Sequence, residues 1–148
     1  MASDVSDQPP SHRPTRNLRI LVVDDEVCVL KALSRLVRQD GHQVTAADGG
    51  QAAIDMFVAA DVRGEPFALV FLDLQMPHVN GHMVAAAIKA MSPLTPVVLV
   101  TGQGGDWRAQ GGLPVNVDRL LHKPADADEL RSAVADLVVR PTTVPPRP

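Results

Sequence analysis

The 148-residue chain has one cysteine, no tyrosine and few aromatic side chains of any kind. A single cysteine, Cys28, excludes an intramolecular disulfide and fits a cytosolic setting; inside a helix-periodic segment its expected role is that of a small buried hydrophobe. No uninterrupted apolar stretch approaches membrane-spanning length, and the opening MASDVSDQPPSHRPTRN lacks the apolar core of a signal peptide. The expectation is a cytoplasmic protein without membrane contact. Excess basic charge is missing too: a formal net charge of −3 supplies no general attraction to nucleic acid or anionic lipid.

What is present is a core. Hydrophobic residues make up 45% of the chain, enough for one domain and its tails but not for two independent cores. From Leu18, short apolar runs alternate with helix-periodic segments, the pattern of βαβ units and of a parallel sheet covered on both faces. The runs fall at about 18–23, 42–47, 67–72, 97–100 and 117–121. Leu30, Leu33 and Val37 give a helix over about 26–39 its buried face. Ile54, Phe57 and Val58 give the next its apolar stripe, with Asp48 and Gln51 resembling a capping pair. Asn80 caps a third helix carrying Val84, Ala87, Ile88 and Met91. A fourth helix within the glycine-rich stretch from Gly102 to Pro114 would be short and weak, since each interior glycine costs roughly 1 kcal/mol against alanine. Asp126 and Glu129 cap a last helix whose face is Leu130, Val134, Leu137 and Val138. Residues 1–16 and the proline-rich 141–148 read as tails flanking a domain of 17–140.

The informative residues stand where the apolar runs stop. Asp24 and Asp25 close the first run, Asp73 the third and Thr101 the fourth, and Lys123 follows the fifth. In open α/β sheets chemistry gathers at the ends of parallel strands, so these groups are expected to converge. Two carboxylates about 4 Å apart repel by roughly 4 kcal/mol at an effective dielectric near 20, so the trio asks for a hard divalent cation, magnesium above all. Phosphoryl transfer needs a nucleophile, a metal and donors for the phosphate oxygens, and each has a candidate here. Asp73 is the nucleophile, Asp24 and Asp25 hold the metal directly or through water, and Thr101 and Lys123 meet the phosphoryl group.

The ordered set of Asp24-Asp25, Asp73-Leu74-Gln75-Met76-Pro77 with Asn80-Gly81, Thr101 and Lys123-Pro124 resembles the receiver domain of two-component response regulators, over about residues 17–140. The resemblance implies a doubly wound, five-stranded parallel α/β sheet of flavodoxin-like order 2-1-3-4-5, with helices on both faces. It assigns Asp73 as acceptor of a phosphoryl group from a kinase phosphohistidine. By the same resemblance, Mg2+ is held by Asp25, Asp73 and the Gln75 carbonyl, with Asp24 helping through water, and the Lys123-Pro124 bond is cis. Similar receivers place an aromatic three residues before the lysine, where this chain has Leu120. Gln75 and Gln103 are the positions expected to tune the lifetime of the phosphate.

Expected partners are a sensor histidine kinase or phosphotransfer protein and a downstream protein, without direct contact to nucleic acid; a homodimer stays open. Nothing after Arg140 is long enough for an output domain, so the output is expected to be another protein. The competing classes are a pseudo-receiver that no longer takes phosphate and a magnesium-dependent phosphatase of the haloacid-dehalogenase type. The latter places a second acid two residues after its nucleophile, where Gln75 stands. A nucleotide-binding reading of Gly102-Gln103-Gly104-Gly105 fails for want of its third glycine. His78 and His82 have the i, i+4 spacing of helical metal ligands, but with Asn80 and Gly81 between them surface positions are expected. Trp107 is either a partner-facing anchor or packing, and Arg108 and Arg119 are expected to be solvated.

Overall fold

Each strand alternates its side chains between two helical layers, and this period of two organises the whole core. The computed structural model describes residues 17–102 and 112–138. Five strands, β1 (Arg19–Val23), β2 (Gln43–Ala47), β3 (Leu69–Asp73), β4 (Val97–Thr101) and β5 (Arg119–His122), form one parallel sheet in the order β2-β1-β3-β4-β5. Four helices are described: α1 (Val27–Gln39), α2 (Gly50–Val62), α3 (Gly81–Met91) and α4 (Ala127–Val138).

Leu21, Val23, Val70, Leu72, Val97 and Leu99 point to one face and pack with Ala53, Phe57 and Ala60 of α2 and Val84, Ala85 and Ile88 of α3. Ile20, Val22, Leu69, Phe71, Val98 and Val100 point to the other, under Leu30, Leu33 and Val37 of α1 and Leu130, Ala133 and Val134 of α4. Burial on both faces is why β3 and β4 are apolar without interruption up to their last residue.

Most of the expected helix signals operate. Asn80 Oδ1 accepts the Met83 N–H at 3.0 Å. Asp126 and Glu129 cap α4 reciprocally, Glu129 N–H donating to Asp126 Oδ1 at 2.8 Å and Asp126 N–H to Glu129 Oε1 at 3.3 Å. Other expectations fail. Gly49 occupies the N-cap of α2, and Gln51 donates to Asp55 instead of pairing with Asp48. Val58 and Met91 are exposed, because alanines and the inner residues of α2 and α3 already fill the space beneath. Cys28 is exposed as well, on the solvent side of the first turn of α1.

The fifth strand starts later than its apolar run, since the Val117 N–H turns back to the Pro114 carbonyl. Asp118 then locks this corner: its Oδ2 accepts both the Val97 N–H and Lys89 Nζ at 2.8 Å. Lys89 Nζ also donates to the Thr95 carbonyl at 2.8 Å. Most of the stretch expected to hold the weak fourth helix, with Gln103, Trp107 and Arg108, lies outside the described residues. Among the described residues, no helix is long and apolar enough to cross a membrane.

Candidate functional site

Strand register brings the chemistry together. Val23 lies opposite Leu72, Asp73 opposite Val100 and Thr101 opposite His122. Asp24 and Asp73 therefore stand level at adjoining strand ends, Thr101 one residue beyond, and Lys123 one residue beyond that. The groups rim an open cavity of about 390 Å³ lined by Asp25, Glu26, Asp73, Gln75, Thr101 and Lys123.

Asp24, Asp73 and Thr101 are buried. The Asp24 N–H donates to the Ala47 carbonyl of the neighbouring strand, and its Oδ1 accepts the Glu26 N–H at 2.8 Å, which fixes the carboxylate. Lys123 Nζ bridges the two buried acids, 2.8 Å from Asp24 Oδ2 and 2.9 Å from Asp73 Oδ1, with Glu26 Oε1 more distant at 3.8 Å. The Lys123 N–H holds the Thr101 carbonyl at 2.9 Å, and the Lys123-Pro124 peptide is cis. Burial raises the Asp73 carboxyl above the usual carboxylate value; the Lys123 hydrogen bond opposes that rise, and the Asp24 charge adds to it. For Lys123, burial works against the charge, but hydrogen bonds and charge from Asp24 and Asp73 outweigh it and hold the ammonium above its usual value.

One carboxylate oxygen from each of Asp24, Asp25 and Asp73 lies within 4.8 Å of the others. Among the described residues Lys123 is the one cation within 4.0 Å of Asp24 or Asp73. Three acids against one ammonium leave an excess of negative charge among oxygen donors, a set that fits a hard divalent ion such as magnesium.

The loop after Asp73 is held by close backbone packing. The Gly81 N–H donates to the Leu74 carbonyl at 2.9 Å, and a β-carbon on Gly81 would collide with the Asp73 carbonyl oxygen. Likewise a β-carbon on Gly50 would strike the carbonyl oxygen of Val79. His78 adopts a φ of +66°, a conformation that favours glycine. His78 and His82 are both exposed, and α3 begins only at Gly81, so no helical face joins them.

Of the site residues singled out in the sequence, Asp24, Asp25, Asp73, Gln75, Thr101 and Lys123 reach this one place, while Gln103 lies outside the described residues. Two contacts were missed, one at the site and one that packs the loop behind it. Glu26 had a signal, since it directly follows the acidic pair. Gly50 had none, because its contact is with a loop far along the chain.

Fold and pocket define a doubly wound α/β domain whose chemistry sits where the central parallel strands end. The chain belongs to the response regulator receiver domain family, whose model matches residues 20–135. It is 36% identical over 114 residues to the transcriptional regulatory protein TcrA of Mycobacterium tuberculosis, covering 76% of this chain and 43% of that protein. Similarity to the transcriptional regulatory protein ZraR of Escherichia coli K12 is 32% over 118 residues, covering 80% of this chain and 26% of that one. The chain thus spans under half the length of either relative.

Among solved structures, a response regulator receiver domain protein of Clostridium thermocellum superposes with a TM-score of 0.75 at 26% identity, covering 84% of this chain and 97% of that one. The response regulator TrrA of Thermotoga maritima, solved in complex with Mg(2+)-BeF, gives 0.70 at 28% identity, covering 81% and 98%.

Proposed function

We propose that the chain is a phosphoryl-accepting signalling receiver in which Asp73 takes the phosphoryl group from the phosphohistidine of a sensor kinase or phosphotransfer protein. The observation that carries this reading is the buried Asp73 carboxylate, level with Asp24 and bridged to it by Lys123 at 2.8 and 2.9 Å, at the mouth of an open cavity. A carboxylate oxygen of Asp73 attacks phosphorus, the P–N bond to the donor imidazole breaks, and the imidazole nitrogen takes up a proton. Lys123 and the Thr101 hydroxyl serve the phosphoryl oxygens.

Asp24, Asp25, Asp73 and the Gln75 carbonyl would hold Mg2+, which neutralises charge on the transferring group. Hydrolysis of the acyl phosphate resets the domain, with Gln75 and Gln103 flanking the path of water; no external substrate is turned over. The receiver comprises residues 17–140, with tails on either side.

The added phosphoryl group brings about −1.5 to −2 charges and three strong acceptors beside Thr101. Leu120, partly buried against the α2 and α3 layer, stands where similar receivers carry an aromatic. With no aromatic there to rotate, the output is read at the Thr101 side of the site by a protein partner.

The test is intact-mass spectrometry after incubation with magnesium and acetyl phosphate. A single phosphate adduct, absent in Asp73→Asn, is the expected result. No adduct, together with no binding of beryllofluoride, would leave a pseudo-receiver.

A further inference from the structure

A second concave surface lies away from the strand ends, where α1 meets β2, the edge strand of the sheet. It is a groove of about 580 Å³ with Leu30 at its base and the exposed Val27 on its wall. Lys31, Arg35 and Arg38 line it, and no acidic residue does. None of the three has an acidic partner within 4.0 Å among the described residues, although the chain as a whole carries net charge −3. Lys31 and Arg35 are one helical step of four residues apart, about 6 Å along the axis. Ser34 also lines the groove, buried at 3% exposure, and its Oγ meets no hydrogen-bond partner.

We propose that this groove docks an acidic, extended segment of a partner protein, laid along the β2 edge. Alternate residues of an extended chain are spaced by about 6.6 Å, close to the Lys31 to Arg35 step, so carboxylates at every second position meet successive cations. The aliphatic stems of those acidic side chains pass over Val27 and Leu30, the intervening residues face the opposite side, and the open edge of β2 offers backbone partners to the incoming strand. Charge complementarity selects the occupant: the groove is cationic on a protein that is otherwise acidic. The proposal does not depend on Asp73 accepting phosphate.

The test is fluorescence anisotropy with the full chain and a fluorescein-labelled peptide of alternating glutamate and valine, against its glutamine counterpart. Saturable binding of the glutamate peptide is expected, weakened by salt. The K31Q/R35Q/R38Q variant should bind at least about tenfold more weakly while keeping its circular dichroism spectrum and its acetyl phosphate adduct. If that variant fails to fold, R35Q alone should still show a measurable loss.

Equal binding by the folded variants, or no saturable binding by the parent, overturns the proposal. So does tighter, cation-dependent binding of a DNA duplex or of phosphatidylserine vesicles. Sedimentation showing a dimer that the triple variant loses would assign the groove to a second copy and overturn it as well.

Discussion

Gly81 and Asp73 touch backbone to backbone. A β-carbon at Gly81 would run into the carbonyl oxygen of Asp73 and stand 2.8 Å from the Cα of Leu74. The first turn of α3 is thereby seated directly on the end of β3, and the acidic side chain inherits its position from that seat.

Gly81→Ala should cost about 1–3 kcal/mol, the usual range for overpacking, and should lower the yield of phosphate adduct as well. Gly49→Ala is the control, because nothing lies within 4 Å of its added carbon and its backbone is extended. Urea denaturation and intact mass of both variants check the pair. An adduct yield unchanged in Gly81→Ala would show that the seat does not position Asp73.

Burial, partly opposed by Lys123, raises the native carboxyl of Asp73 above 3.8. The native state therefore keeps a proton that the unfolded chain releases at lower pH. Its contribution to stability falls as pH climbs from 3.8 through the raised native value. Asp73→Asn removes the ionisation, so at neutral pH it should melt a few degrees above the parent, and the gap should close toward acid. Thermal melts across pH in chelator decide this; a less stable variant at neutral pH contradicts the direction of the shift.

Lys123 carries the opposite sign. Its native pKa is raised above 10.5, so its stabilising contribution is fully present below 10.5 and fades as pH rises through the native value. Lys123→Met would leave Asp24 and Asp73 facing each other without their ammonium, at a cost of about 3 kcal/mol at neutral pH. Magnesium should restore more stability to this variant than to the parent. Thermal shift against magnesium concentration measures the difference, and equal shifts would mean that Lys123 does not offset the acids.

Asp118 offers a structural contrast. Its Oδ2 satisfies the Val97 N–H and Lys89 Nζ together, at the sheet edge opposite the acidic cavity. Asp118→Ala should cost about 1–3 kcal/mol by stranding a partly buried amide. The yield of phosphate adduct should stay at the parent level under conditions where both are folded, as denaturation and mass measurements would show.

Most of the local signals read correctly, the Asp48 and Gln51 pair at the start of α2 excepted. Continuous apolar runs over β3 and β4, the Asn80 cap and the Asp126 and Glu129 capping box each lie within a few residues and read correctly. The candidate site was legible for a different reason: parallel strands end on one edge, so acids and hydroxyls at run ends must meet there. Much of the rest depended on neighbours distant in sequence. Val58 and Met91 have the right spacing, but Ala53, Phe57 and Ala60 of α2 and Val84, Ala85 and Ile88 of α3 are the residues that meet the sheet, which leaves the other two outside. The late start of β5 follows from the turn at Pro114 and the Lys89 and Asp118 lock, whose partners stand far apart along the chain. Gly50 gives no hint of Val79 until the two are packed.

The staircase of strand ends also bears on how the domain matures. Asp24 follows the first strand and Lys123 the last, so the acidic bowl meets its ammonium only once β5 has joined the central strands. A nascent or partly unfolded chain has the residues but not the receptacle. On the function proposed above, a chain halted before β5 lacks the ammonium beside Asp73 and should take up no phosphate.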